Sequence, residues 1–218
     1  MGYNISLVNQ YINMIISLVS LLGLIISITI HEFSHALAAD KLGDPTPRSY
    51  GRLTLNPLAH ADPIGTFLLP LFSALSHIPT IGWAKPVPID PYNFSNPRRD
   101  EILVALAGPG SNFIFAIIIA LVNNFIFPNL IFSYLVLINL SLGIFNLIPI
   151  PPLDGSKIFL NLLPPETSIE WQHTFDRYGF FLLIILIFIP IGGSNLISLI
   201  ITPFLRLLLP LLLPGLSF

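Results

Sequence analysis

His31-Glu32-Phe33-Ser34-His35 sets two imidazoles four positions apart, with a carboxylate next to the first. On a helix, positions i and i+4 share a face with Cβ atoms about 5–6 Å apart, so both rings can reach one zinc ion at about 2.0–2.1 Å. Glu32 then stands beside the open coordination position, where it can activate a water. The surroundings sharpen this reading. No Asp, Glu, Lys or Arg occurs from Met1 through Ile30, and an ionisable group inside a bilayer is costly unless it is paired, ligated or watered. Three such side chains at the end of an apolar run therefore read as functional.

The elements that must position them are membrane helices. The chain of 218 residues is 54% hydrophobic and only 9% charged, against about 25% charged in a soluble domain; its mean hydropathy is +0.82. A net charge of −2 offers no basic surface for nucleic acid. The absence of cysteine excludes disulfides, thiolate zinc sites and a cysteine nucleophile. The first apolar segment lacks the basic start of a secretory signal and carries the candidate ligands, so it is expected to be retained.

Stretches apolar enough for membrane helices, where a full crossing needs about 20 residues, predict helices over 11–39, 102–127, 130–148, 178–191 and 196–213. The expected fold is an all-α polytopic membrane protein of about five to six membrane helices. Residues 1–218 are read as a single membrane domain, with a catalytic core over 11–157 and C-terminal helices over 178–213. Ile64 to Ile81 is apolar but interrupted by Pro70 and Pro79, and is expected as a re-entrant or interfacial segment. Lys41, Arg48, Arg52, Lys85, Arg98, Arg99 and Lys157 then share one side, which the positive-inside rule makes the cytoplasm. Arg52 to Leu55 and Trp83 to Pro88 are expected as short β-strands near the active site, with Pro86 and Pro88 demanding an edge position.

A zinc site needs a third protein ligand. Most acidic residues lie in polar connectors or at helix edges; Asp154, just after the 130–148 helix, stands out. For its carboxylate to meet His31 and His35, that helix must end on the same side as the first, which an extra crossing by residues 64–81 would prevent.

Asn146-Leu147-Ile148-Pro149-Ile150-Pro151-Pro152-Leu153-Asp154-Gly155 resembles the N-x-x-P-x-x-x-x-D-G pattern of the site-2 protease family of intramembrane zinc metalloproteases. Gly108-Pro109-Gly110-Ser111-Asn112 is similar to the family's G-x-x-x-N element, and residues 51–60 and 82–88 resemble the compact subgroup without an appended PDZ or CBS domain. The resemblance spans roughly residues 25–157. It implies an endopeptidase that hydrolyses peptide bonds within transmembrane segments of substrate proteins. It implies one Zn2+ per chain on His31, His35 and Asp154, with Glu32 as general base. Asn146 is the candidate for stabilising the oxyanion or holding substrate backbone. Asn112 is a candidate substrate-binding residue, although its preceding glycines equally suggest close helix packing. The implied partners are membrane-spanning proteins and the lipid bilayer, in a multi-pass protein whose active site lies toward the cytoplasmic side, in regulated intramembrane proteolysis. A metal-binding transporter would explain the histidines but not Glu32 or the Asn-Pro-Asp-Gly array, and intact ligands and base argue against a non-catalytic scaffold. A substrate helix must unwind before attack, and the stretches around Arg52 and Lys85 are candidates to hold it by β-augmentation. His60 could line a water path, or serve local structure.

Overall fold

A computed structural model describes residues 5–68 and 83–214. Among the described residues, six helices of more than two turns carry the architecture: α1 (Ile5–Lys41), α2 (Pro97–Phe125), α3 (Leu130–Asn146), α4 (Asp154–Leu162), α5 (Pro165–Phe188) and α6 (Leu196–Leu212). Leu21–Lys41 within α1 and the whole of α2 are long and apolar enough to cross a membrane; α3 and α6 are shorter apolar helices.

Local chemistry explains where these helices begin and how they tolerate polar residues. Asn96 opens α2 by accepting from Arg99 N–H, and Asn129 opens α3 by accepting from Ile131 N–H at 2.9 Å. Along α1, the hydroxyls of Ser27, Thr29 and Ser34 each donate to the carbonyl four residues back at 2.7 Å. An apolar surrounding offers them no other acceptor.

α2 is the hub and packs on α1, α3 and α4. Its buried face is rich in small residues, Ala105, Gly108, Ala116 and Ala120; Ala116 and Ala120 pack with Val136 and Leu140 of α3, and Val104 packs with Ala39 of α1. Large aliphatic residues point the other way: Ile114 is 60% exposed and Ile118 51%. Small side chains inside and large apolar ones outside reverse the pattern of a soluble domain, and suit helices surrounded by lipid. Val136 and Leu140 of α3 and Leu209 of α6 close the main core against α2. A second cluster, Ile148, Leu153 and Leu186, seats the connector before α4 against α5.

Three expectations change. The helix expected from Tyr178 begins at Pro165, because the polar run after Pro164 continues into the apolar one without a breaker. The connector after α3 contains a helix of its own, α4, whose first residue is Asp154. Neither expected strand forms, and among the described residues the strand pairing is Pro190–Ile191 with Ser194–Asn195.

Competing local bonds account for the missing strands. Arg52 turns inward and donates to Ala59 O, His60 Nε2–H donates to Thr54 O at 2.8 Å, and Asn56 caps the turn Pro57–His60. Those carbonyls and side chains are taken before a partner strand could use them. Residues 83–88 form no strand; Trp83 N–H donates to Gly65 O at 3.2 Å and Lys85 N–H to His60 O at 2.9 Å, while Pro86 and Pro88 have no N–H to give. Most of the expected re-entrant segment, 69–81, lies outside the described residues; its start belongs to a π-helical turn, Pro63–Leu68.

Arg98 donates to Leu160 O at 3.5 Å and to Leu163 O, clamping the start of α2 onto the end of α4. Asp44, fully buried, accepts from Thr46 N–H, Asp90 N–H and Asn93 Nδ2 and thereby straps the chain after α1 to the segment before α2. Burial opposes its charge, but these donors outweigh it and hold the carboxyl below its ordinary pKa.

Candidate metal centre

His31 and His35 face inward from α1, and Asp154 meets them from the N-terminus of α4. That meeting depends on how closely α4 starts against the end of α3: a Cβ at Gly155 would overlap Leu147 O. With glycine there, the chain turns tightly enough to bring Asp154 Oδ2 to 3.1 Å from His31 Nε2 and 3.2 Å from His35 Nε2. The two Nε2 atoms are 3.0 Å apart. All three residues are buried, and one ligand atom from each lies within 4.8 Å of the others.

The far side of each ring identifies what these atoms present to one another. His35 Nδ1 is 2.7 Å from the carbonyl oxygen of Val104, which can only accept, so Nδ1 carries the proton. His31 Nδ1 is 2.7 Å from Asn112 Oδ1. Both Nε2 atoms therefore turn a lone pair toward Asp154 and toward each other. Three acceptors 3.0–3.2 Å apart in a buried site repel unless a cation or a proton lies between them. Two neutral imidazoles and one carboxylate form the three-ligand set of a catalytic zinc site, and their outer hydrogen bonds to carbonyl groups are the kind that orient such ligands. The residues fit the metal.

Space is kept for it by Gly108. A Cβ there would collide with His35 Nε2 and His31 Nε2, so this point of α2 must be side-chain-free for the rings to converge. On the other side lies a cavity of about 310 Å³ whose wall includes Glu32, Trp83, Val87, Asn146 and Lys157 together with the three candidate ligands. Val87 N–H donates to Glu32 Oε2 at 3.2 Å, so the 83–88 segment steadies that carboxylate at the cavity wall.

Of the residues expected from the sequence, His31, Glu32, His35, Asn146 and Asp154 all line this one cavity. Asn146 is half-buried and gives one amide hydrogen to Leu142 O at 3.0 Å. Asn112 is placed differently: it is fully buried behind His31, with its oxygen on Nδ1 and its nitrogen on Ser27 O and Asn139 Oδ1. His60 is buried near Thr29 and Trp83, beside a small apolar pocket, and its Nδ1 has no partner among the described residues. Val104 O, Val87 N–H and Asn139 were not singled out by sequence. The first two are backbone groups that carry no residue-type signal, and Asn139 is one of two asparagines in a short apolar helix, set apart by no motif.

Residues 19–130 and 124–189 match the family model for Peptidase family M50. The protein named "Putative zinc metalloprotease YwhC" of Bacillus subtilis is 38% identical over 78% of this chain and 80% of its own length. "Putative zinc metalloprotease Rip2" of Mycolicibacterium smegmatis is 32% identical over 77% of this chain and 66% of its own length. "Zinc metalloprotease MJ0392" of Methanocaldococcus jannaschii is 29% identical over 50% of this chain and 33% of its own length. No solved structure gives a significant match.

Proposed function

The chain belongs to Peptidase family M50, the site-2 protease family of zinc metalloproteases, and on that premise we propose that it hydrolyses peptide bonds inside the transmembrane segments of other proteins. The observation that carries this reading is the buried convergence of His31, His35 and Asp154 on a cavity that Glu32 also lines. His31, His35 and Asp154 would hold the zinc, one per chain. When bound, it would supply Lewis acidity toward a water and the scissile carbonyl.

The chain's own groups account for the rest. Glu32 takes the proton of the attacking water and returns it to the leaving amine. Val87 N–H holds Oε2, leaving Oε1 to handle that proton. Asn146 has one amide hydrogen engaged by Leu142 O, and its second is directed at the oxyanion that develops on the scissile carbonyl. Trp83, Lys85 and Val87 already use their N–H groups and Pro86 and Pro88 have none, so an unwound substrate backbone held along 83–88 would have to donate to its carbonyl oxygens.

The gathering of Arg98 against the end of α4, one short helix beyond Asp154, supports a catalytic site toward the basic, cytoplasmic side. By helical rise, the ten residues from His31 to Lys41 set the metal about 15 Å inside that boundary. The substrates are then membrane-spanning proteins that reach the cavity through the bilayer.

Purified protein in detergent, assayed on a model single-span substrate, tests the reading through Glu32→Gln. Zinc content should be unchanged while cleavage falls by about 10²–10⁴-fold, and neither form should pass zinc across liposomes. Undiminished cleavage by Glu32→Gln, or zinc flux by the wild type, would overturn it.

A further inference from the structure

We propose that Asn139, in the middle of α3, is a positioning residue that sets the metal-binding state of His31 through Asn112. The direction of the relay follows from two backbone carbonyls that can only accept. Leu135 O lies 2.9 Å from the Asn139 amide, so the NH2 group is on that side and Oδ1 is turned toward α2. Asn112 Nδ2 faces that oxygen at 3.1 Å and Ser27 O at 3.1 Å, which uses both of its hydrogens. Asn112 Oδ1 is then left for His31 Nδ1 at 2.7 Å and requires a proton on it. The lone pair falls on Nε2, facing Asp154 and His35.

Both asparagines are 0% exposed, so no water competes for these bonds. A half-turn of the Asn112 amide would set its oxygen against Ser27 O and Asn139 Oδ1, two acceptor–acceptor contacts, and would turn NH2 toward His31. In that pose Nδ1 must accept, the proton moves to Nε2, and His31 cannot ligate. Removing the Asn139 oxygen abolishes one of the two contacts that forbid the turn. His35 has no such dependence, because Val104 O meets its Nδ1 directly.

The inference rests on the metal-site reading, and zinc affinity of the full chain in detergent, measured by competition with a chromophoric chelator, separates the two. Asn139→Leu should weaken zinc by about tenfold, the low end for an outer-sphere partner. Asn112→Leu should weaken it at least as much, and the double variant no further than Asn112→Leu alone, since one residue acts through the other. Asn139→Asp, which as the neutral acid can donate to Leu135 O and keep an acceptor toward Asn112, should stay within about threefold of wild type, well above the Leu variant. The 15N signals of labelled histidine in zinc-free protein read the proton position without activity: Asn139→Leu should alter His31 and leave His35 unchanged. Wild-type affinity in Asn139→Leu, full additivity in the double variant, or an unaltered His31 signal would overturn the relay. Failure of the wild-type chain to bind zinc would instead sink the metal site.

Discussion

Gly108→Ala should cost the protein its metal while leaving its helices in place. A Cβ built at that position falls on His35 Nε2 and His31 Nε2, the atoms that face the candidate metal position. Neither ring is a loose end that could swing aside, since each is pinned through Nδ1 by a 2.7 Å bond, to Val104 O and to Asn112 Oδ1. α2 has no room to retreat either, with Val104, Ala105, Pro109 and Asn112 all buried around the glycine. Relieving the overlap means rotating both rings off their bonds at about 1 kcal/mol each, with overpacking strain of about 1–3 kcal/mol in addition. The sum, about 3–5 kcal/mol, corresponds to a loss in zinc affinity of about 10²- to 4 × 10³-fold at 1.4 kcal/mol per decade. Gly110→Ala is the matched control: it lies on the same helix with nothing among the described residues within 4 Å of the added carbon, and alanine there should be neutral or favour the helix by about 0.5–1 kcal/mol. Chelator competition, zinc content after gel filtration and helix content by circular dichroism would be measured on both. Zinc binding by Gly108→Ala within threefold of Gly110→Ala would refute the steric argument.

Asp154→Ala should abolish stoichiometric zinc and with it all cleavage, an effect larger than the 10–100-fold typical of removing an outer partner; retained zinc at wild-type affinity would show that a different third ligand serves. Asp44→Asn tests the strap between the end of α1 and the segment before α2. It leaves at least one of three part-buried hydrogen bonds unmade, costing about 1 kcal/mol near neutral pH. Because the folded pKa of Asp44 is depressed, its contribution is present above the unfolded value of 3.8 and is lost as pH falls through the folded value. Thermal melts in detergent should therefore show a gap between wild type and Asp44→Asn at pH 7 that narrows below about pH 3.8. A gap constant with pH would mean that the carboxylate charge is not what holds the strap.

What could be read from the chain was whatever is encoded within a few residues of itself. The i, i+4 spacing of His31 and His35, the carboxylate between them, and the apolar lengths of α1, α2, α3 and α6 are all local patterns, and helical geometry translates each directly into a face or a boundary. The short strands expected around Arg52 and Lys85 failed for the complementary reason: β-prone composition says nothing about whether a partner is within reach, and here side chains and prolines had already used or removed the groups a partner needs. Helix α4 went unread because nine residues, although amphipathic, are too short a run for a helical period to be told from a connector. Only the tertiary structure decided that Asn112 stands behind His31 rather than in the cavity, since that turns on the rotation of α2 against α1 across 81 residues of sequence. The same holds for Asn139, whose meaning comes from facing Asn112 across a third helix, and for Gly108, whose lack of a side chain matters because two imidazoles arrive beside it. Packing brings such residues together, and packing is settled by the shapes of all the facing surfaces at once, which no single stretch of sequence contains.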